Sequence, residues 1–164
     1  MTAVVDIDGV LADVRHRLHH VTGVTGGTGG KNWPAFFAGA ADDGLLAEGA
    51  RTVHALAEVY DVVYLSGRPE RLRRVTESWF RRHGLPDGAL LLRREGDFRP
   101  SSVFKVEALE VLARTRAVVV LVDDDQRVLS AAREAGFDVL PATWMGPDED
   151  LRALREAQEE DGRT

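Results

Sequence analysis

The sequence of 164 residues contains no cysteine, and this absence excludes several kinds of chemistry. A chain without cysteine forms no disulfide bond, has no thiol nucleophile and offers no thiolate ligand to zinc. Long apolar runs are also absent, since none approaches the roughly 20 residues of a membrane-spanning helix. Because Met1 leads directly into the first apolar stretch, we expect no signal peptide. These features predict a cytoplasmic protein that has no membrane partner.

Positive charge is scarce overall, because the formal net charge is −6, but it is unevenly distributed. The overall charge argues against sequence-independent binding of nucleic acid. Residues 66–105, however, contain ten Lys and Arg against five Asp and Glu, whereas the rest of the chain contains eleven against twenty-two. Part of this basic segment has the pattern of an amphipathic helix with a solvated face. Arg68 and Arg93, which flank predicted strand ends, are therefore the candidates for contact with an anionic substrate.

The pattern of apolar residues predicts one α/β domain over residues 1–164, since 44% of the chain is apolar and can bury a full core. Short runs rich in Val and Leu alternate with helical patterns, which predicts a parallel sheet covered on both faces. Strands are predicted at residues 3–7, 62–65, 89–92, 117–122 and 137–140. Helices are predicted at residues 33–41, 48–59, 69–84, 101–113, 126–135 and 148–160, with Ser101 as a cap. The expected architecture is a Rossmann-like, three-layer αβα fold with about five parallel strands.

Two aspartates, Asp6 and Asp8, stand where the first predicted strand meets Gly9. Side chains at i and i+2 of a strand point the same way, about 6.6 Å apart at a rise of about 3.3 Å per residue. Carboxylates this close repel each other unless a cation or a proton separates them. A hard divalent ion such as Mg²⁺ would relieve the repulsion and leave one carboxylate free as a nucleophile. An acidic turn would give the same pattern, so the interpretation depends on the rest of the chain.

Polar side chains also stand at the ends of other predicted strands. Ser66 and Gly67 follow the second strand, and Asp123 and Asp124 follow the fourth. Lys105 lies within the helical pattern between them. In an open parallel sheet, ligands bind outside the carboxyl ends of the strands, so we expect these groups to converge with the first aspartate pair.

In this order the motifs resemble those of the haloacid dehalogenase (HAD) superfamily of phosphohydrolases, over nearly the whole chain. The four matching motifs are Asp6-Ile7-Asp8-Gly9, Leu65-Ser66-Gly67-Arg68, Lys105 and Val122-Asp123-Asp124. The resemblance implies a Mg²⁺-dependent phosphomonoesterase that works through an aspartyl phosphate. A signalling receiver domain also combines aspartates, a hydroxyl, a lysine and Mg²⁺, but its motifs follow one another in a different order. A non-catalytic phosphate-binding module is the remaining alternative.

The resemblance also implies a role for each motif residue. Asp6 would be the nucleophile, and Asp8 would act first as the general acid and then as the general base. Ser66 and the Gly67 N–H would hold the phosphoryl oxygens, and Lys105 would neutralise charge that develops on them. The implied Mg²⁺ ligands are Asp6, Asp8 through its backbone carbonyl, and Asp123 or Asp124.

Within the superfamily, the chain is similar to the phosphatase domain of bacteriophage-type polynucleotide kinase–phosphatases. The similarity rests on the basic helix after Arg68, on residues 93–99 leading to Lys105, and on Arg17, eleven residues after Asp6. It implies that Arg17, besides Arg68 and Arg93, contacts the substrate, and that the substrate is a nucleic-acid or nucleotide 3′-phosphate. A small phosphorylated metabolite or a 5′-nucleotide is the alternative substrate.

The spacing of the motifs leaves little room for a cap domain. Residues 9–61 are predicted to hold only a small helical insertion, which includes a glycine-rich loop at residues 22–31. We therefore expect an open site. Such a site suits the end of a nucleic acid, or a small substrate that a second subunit of a homo-oligomer encloses.

Overall fold

The computed structural model describes residues 1–22 and 30–162, so most of the predicted glycine-rich loop lies outside the described residues. The described residues form seven strands: β1 (Thr2–Val5), β2 (Ala12–Asp13), β3 (Gly44–Leu45), β4 (Asp61–Pro69), β5 (Ala89–Arg93), β6 (Val118–Asp123) and β7 (Val139–Pro141). Five of them form a parallel sheet in the order β5-β4-β1-β6-β7. The predicted central sheet is thus confirmed. The short β2 and β3 pair antiparallel beside it, and the sequence pattern did not indicate them.

Within residues 1–22 and 30–162, six α-helices accompany the strands: α1 (Trp33–Ala38), α2 (Ala47–Ala57), α3 (Arg73–Arg82), α4 (Ser101–Ala113), α5 (Gln126–Glu134) and α6 (Glu149–Asp161). Short 3₁₀ helices occur at Arg15–His20, Gly39–Asp42 and Glu70–Leu72. The prediction that Ser101 caps α4 is wrong, because Pro100 occupies the cap position and Ser101 is already helical. None of the helices in the described part of the chain is long and apolar enough to cross a membrane.

The core lies on both faces of the sheet, because successive side chains of a strand point to opposite faces. Val4 belongs to a smaller cluster beneath α4 and α5, whereas Val5 belongs to the larger cluster on the other face. The larger cluster also contains the buried aromatic side chains of α1, which therefore serve packing. These aromatic residues are Trp33, Phe36 and Phe37.

Strand β1 occupies the centre of the sheet, where the order of the strands reverses. It pairs with β4 on one side and with β6 on the other, and the carboxyl ends of all three lie at one edge. A crevice forms at such a reversal because the connections leave in opposite directions. The ends of these three strands therefore position the candidate site.

Candidate active site

Gly9 makes the sharp turn that ends the first strand segment. Its φ angle is +79°, in the left-handed region that favours glycine. A Cβ atom at this position would lie 2.3 Å from Oδ2 of Asp124. Glycine therefore also allows the carboxylate of Asp124 to lie close to the backbone of the turn. The Asp6 N–H donates to the Val122 carbonyl at 2.9 Å, which fixes Asp6 beside β6. The predicted first and fourth motifs thus lie in contact.

Lys105 joins the nucleophile candidate to the fourth motif. Its Nζ lies 2.8 Å from Oδ2 of Asp6 and 2.7 Å from Oδ2 of Asp123, and all three side chains are buried. The other oxygen of Asp123 accepts from the Asp125 N–H at 2.9 Å. Lys105 is therefore held at the end of α4 that faces the strand ends, as the converging motifs predict.

Asp6, Asp123 and Asp124 form a group that fits a divalent cation. Each offers a carboxylate oxygen, and these oxygens lie within 4.8 Å of one another. Burial raises the pKa of Asp6 well above its ordinary value, and the negative charges of Asp123 and Asp124 raise it further against the effect of Lys105. Burial likewise raises the pKa of Asp124 to about 6. Clustered carboxylates that resist ionisation are a suitable donor set for Mg²⁺, whose charge offsets their repulsion.

Arg155 on α6 also reaches this group. Its Nε and Nη2 donate to Oδ2 of Asp124 at 2.9 and 2.7 Å. The sequence pattern predicted only a helix at residues 148–160, because nothing local marks one arginine as turned towards the sheet. The helix thus contributes a contact that sequence reasoning missed.

Asp8 has different surroundings from Asp6, although the two residues are only two positions apart in the sequence. Its Oδ1 accepts from Nε of Arg68 and from Nη2 of Arg17, both at 3.0 Å, and both arginines are buried. Burial alone would raise the pKa of Asp8, but the charges of Arg68 and Arg17 together lower it. The carboxylate of Asp8 therefore faces these arginines and is not part of the acidic group around Asp6.

The second oxygen of Asp8 is the one left for chemistry. Its Oδ2 is buried and has no hydrogen-bond partner within the described residues. The guanidinium groups of Arg17 and Arg68 donate hydrogen bonds to carboxylates, to the Phe36 carbonyl and to the Thr76 hydroxyl. Direct contact of either arginine with a substrate therefore stays a prediction.

Asp43 is the second carboxylate that holds these arginines. Its Oδ1 accepts from Nε of Arg17 at 2.7 Å, and its Oδ2 accepts from Nη2 of Arg68 at 2.8 Å. Nε2 of His16 lies 2.8 Å from Oδ1. Sequence reasoning missed Asp43 because it comes twenty-six residues after Arg17 and carries no local pattern.

Ser66 and Gly67 lie near the end of β4, at the edge of the sheet where β1 also ends. Ser66 is buried, and its Oγ accepts from the Arg68 N–H at 3.2 Å. Gly67 lines a small cavity of about 80 Å³ together with Arg93 and the following loop. The structure thus brings the predicted second motif to the same edge as the acidic group.

Arg93 ends β5 and has unused hydrogen-bonding capacity. Its Nη1 donates to the Arg99 carbonyl at 2.8 Å, and its guanidinium lies 4.5 Å from the centre of the Phe104 ring. Nε and Nη2 are buried without a hydrogen-bond partner in the described part of the chain. Burial lowers the pKa of Arg93, partly against the charge of Asp97. A buried guanidinium with unsatisfied donors suits an anionic ligand.

Comparison with known families identifies one match within this chain. The family model of the phosphatase domain of polynucleotide kinase PNKP matches residues 37–143. This range includes Ser66, Lys105, Asp123 and Asp124 but starts after the first aspartate pair. No curated protein matches the chain.

Solved structures share the fold at low identity. Two structures of the Pnkp1/Rnl/Hen1 RNA repair complex are each 23% identical to this chain, with TM-scores of 0.64 and 0.66. The matches cover 85% of this chain but only 41% and 45% of those chains. A haloacid dehalogenase-like hydrolase from Streptococcus pneumoniae is 16% identical, with a TM-score of 0.59 and coverage of 93% and 89%. L-2-haloacid dehalogenase from Xanthobacter autotrophicus is 18% identical, with a TM-score of 0.60 and coverage of 95% and 81%.

Proposed function

Because this chain belongs to the family of polynucleotide kinase PNKP phosphatase domains, we propose that it is a Mg²⁺-dependent phosphomonoesterase that acts through an aspartyl phosphate on a nucleic-acid or nucleotide 3′-phosphate. One observation carries the proposal: the two aspartates of the first motif have opposite environments. Asp6 contacts Lys105 at 2.8 Å within an acidic group, whereas Asp8 is bound by two arginines. Different neighbours allow the two carboxylates of one motif to take different roles, one as the nucleophile and one as the acid–base group.

The nucleophilic step belongs to Asp6. A carboxylate oxygen of Asp6 attacks phosphorus as the bond from phosphorus to the substrate oxygen breaks, which leaves an aspartyl phosphate. Lys105 neutralises charge on the phosphoryl oxygens, and the Ser66 hydroxyl and the Gly67 N–H donate hydrogen bonds to them. Mg²⁺, when bound by Asp6, the Asp8 carbonyl and Asp123 or Asp124, offsets the repulsion between nucleophile and phosphate.

Asp8 moves the protons. The arginines lower the pKa of Asp8 in the free protein, so Oδ2 takes up its proton beside the bound phosphate, whose negative charge raises that pKa. Oδ2 then donates this proton to the departing substrate oxygen and accepts one from the water that hydrolyses the aspartyl phosphate. Hydrolysis frees inorganic phosphate and restores Asp6. Because the arginines bind the other oxygen, Oδ1, they leave the proton-transfer atom Oδ2 without a hydrogen bond to either of them.

Arg93 and the basic segment around it support an extended anionic substrate. Arg93, which has two nitrogens without a hydrogen-bond partner in the described part of the chain, lines the same cavity as Gly67. Residues 66–105 carry an excess of five positive charges, in contrast to the acidic remainder of the chain. Two similar structures come from a complex described as an RNA repair complex. We propose that Arg93, assisted by this segment, contacts the strand next to the terminal phosphate.

A phosphate-release screen tests the substrate. In Mg²⁺, we expect 3′-phosphorylated oligonucleotides to be hydrolysed with a higher kcat/KM than 5′-phosphorylated oligonucleotides or 3′-mononucleotides. In a plot of log kcat/KM against the logarithm of the salt concentration, each backbone phosphate that the protein neutralises on a single strand should add about −0.7 to the slope. Arg93→Ala should remove most of this preference while an aryl phosphate is still hydrolysed. Equal efficiency on mononucleotides and oligonucleotides at low salt would favour a small metabolite or a 5′-nucleotide.

A further inference from the structure

Asp43 and Asp8 share the same two arginines in one buried cluster. Nη2 of Arg17 donates to Oδ1 of Asp8 at 3.0 Å and to Oδ2 of Asp43 at 2.8 Å. Nη2 of Arg68 also bridges Oδ1 of Asp8 and Oδ2 of Asp43. The side chains of Asp43 and Arg68 are 0% exposed, and that of Arg17 is 1% exposed. The proposed acid–base group is thus tied to a second carboxylate through both of its partners.

We propose that Asp43 is a positioning residue that holds Arg17 and Arg68 so that Asp8 presents Oδ2 to the departing oxygen. This inference rests on the proposed function. Two positive and two negative charges balance within the cluster. Without the charge of Asp43, two buried guanidinium groups would face the single carboxylate of Asp8. Uncompensated buried charge is unfavourable, so the arginines would turn away or bind both oxygens of Asp8.

Asp43 is itself fixed from outside the site. Its carbonyl accepts a hydrogen bond from Nε1 of Trp79, on α3, at 2.8 Å. Nε2 of His16, in the 3₁₀ helix at Arg15–His20, contacts its Oδ1. The segment before β3 therefore connects two packed helices to Asp8 through the arginines. This arrangement explains why the carboxylate of Asp43 is completely buried.

The inference predicts a defect that depends on the leaving group. The ratio kcat/KM reports only the steps up to departure of the alcohol, and proton donation matters most when that alcohol is a poor leaving group. Asp43→Asn should therefore lower kcat/KM for an alkyl phosphate such as a 3′-nucleotide at least about tenfold more than for 4-nitrophenyl phosphate. Loss of an acid–base group costs roughly 10²–10⁴-fold, so a displaced group should cost part of that.

The experiment compares Asp43→Asn with Asp42→Asn, which removes an exposed carboxylate from the neighbouring position. Asp42→Asn should match the wild type on both substrates. Combining Asp43→Asn with Asp8→Asn should add little to the loss caused by Asp8→Asn alone, because both changes act through one group. Equal loss on both substrates, or independent effects in the double variant, would overturn the inference.

A second variant keeps the test decisive if Asp43→Asn does not fold. Trp79→Phe removes the N–H donated to the Asp43 carbonyl and keeps both carboxylates. It should show the same leaving-group pattern with a smaller loss, and a uniform loss would contradict the inference. A wild type that hydrolyses neither substrate in Mg²⁺ would overturn the proposed function and the inference together. Normal wild-type activity with no leaving-group effect in either variant would overturn the inference alone.

Discussion

Asp6 and Asp8 have the same side chain, and their neighbours decide what each can do. A lysine and two aspartates surround Asp6, whereas two arginines bind Asp8. We expect Asp6→Asn to abolish phosphate release, because the amide keeps the shape of the side chain but is not a nucleophile. Asp8→Asn should slow the reaction by roughly 10²–10⁴-fold, the usual loss for one acid–base group.

Phosphate release and circular dichroism together check this prediction. Asp61→Asn, at the exposed start of β4, is the matched control and should behave like the wild type. Turnover of Asp6→Asn near the wild-type rate, with the fold intact, would show that the covalent mechanism is wrong.

Gly9 offers a test that separates backbone strain from contact with the acidic group of Asp6, Asp123 and Asp124. Gly9 and Gly136 both have positive φ angles, +79° and +88°. A Cβ atom would meet Asp124 at Gly9 but would have no described atom within 4 Å at Gly136. Alanine in a left-handed conformation costs about 1–2 kcal/mol, so both alanine variants should lose stability.

Only Gly9→Ala should also raise the Mg²⁺ concentration needed for half-maximal activity, because the new methyl group displaces the carboxylate of Asp124. Urea unfolding gives the free energies, and Mg²⁺ titration of activity gives the second quantity. An unchanged Mg²⁺ requirement in Gly9→Ala would mean that Asp124 is not a metal ligand.

Helix α6 contacts the acidic group through Arg155. Arg155 donates twice to Oδ2 of Asp124. Its charge opposes the effect of burial on the pKa of Asp124. Arg155→Met should therefore raise that pKa and weaken Mg²⁺ binding several-fold, with a smaller change in kcat at saturating Mg²⁺. Arg152→Met, an exposed change on the same helix, should leave Mg²⁺ binding unaltered. Equal Mg²⁺ affinity in both variants would contradict this role for Arg155.

The elements differ in how far the sequence alone could predict them. Helix α4 was predicted at its observed bounds, and the five strands of the sheet were found within a few residues, because their apolar patterns are local. Asp6, Lys105 and Asp123 could be grouped because parallel strands end at one edge. The two-residue strands β2 and β3 have no periodicity to detect. Asp43 and Arg155 enter the site through tertiary contacts that no local pattern encodes.

For the molecule as a whole, proton and Mg²⁺ binding should be linked. Burial raises the pKa of Asp124 to about 6 and also raises that of Asp6. In the metal-free protein, native Asp124 keeps a proton between pH 3.8 and about 6 that the unfolded chain has lost. Its contribution to stability therefore decreases as the pH rises through this window.

Mg²⁺ requires the ionised carboxylates, so its binding competes with these protons. Below pH 6, the Kd for Mg²⁺ should rise roughly tenfold per pH unit from Asp124 alone, since one pKa unit corresponds to about 1.4 kcal/mol. The increase in Tm that Mg²⁺ produces should accordingly be larger at pH 7 than at pH 5. Calorimetric titration at several pH values measures the Kd directly. The same Kd at pH 5 and pH 7 would show that Mg²⁺ does not displace a proton from a carboxyl group of the acidic group.

The central place of β1 in the sheet has a consequence for how the chain acquires its structure. Thr2 aligns with Asp61 of β4 and with Val118 of β6. One edge of β1 therefore pairs with a strand that is more than a hundred residues later in the chain. During synthesis, β1 therefore exposes an open apolar edge until β6 has emerged, and such edges are sites of aggregation. Contacts this distant in sequence also slow folding. The arrival of β6 closes this edge of β1 and brings Asp123 and Asp124 to Asp6, so closure of the edge and assembly of the acidic group are one event.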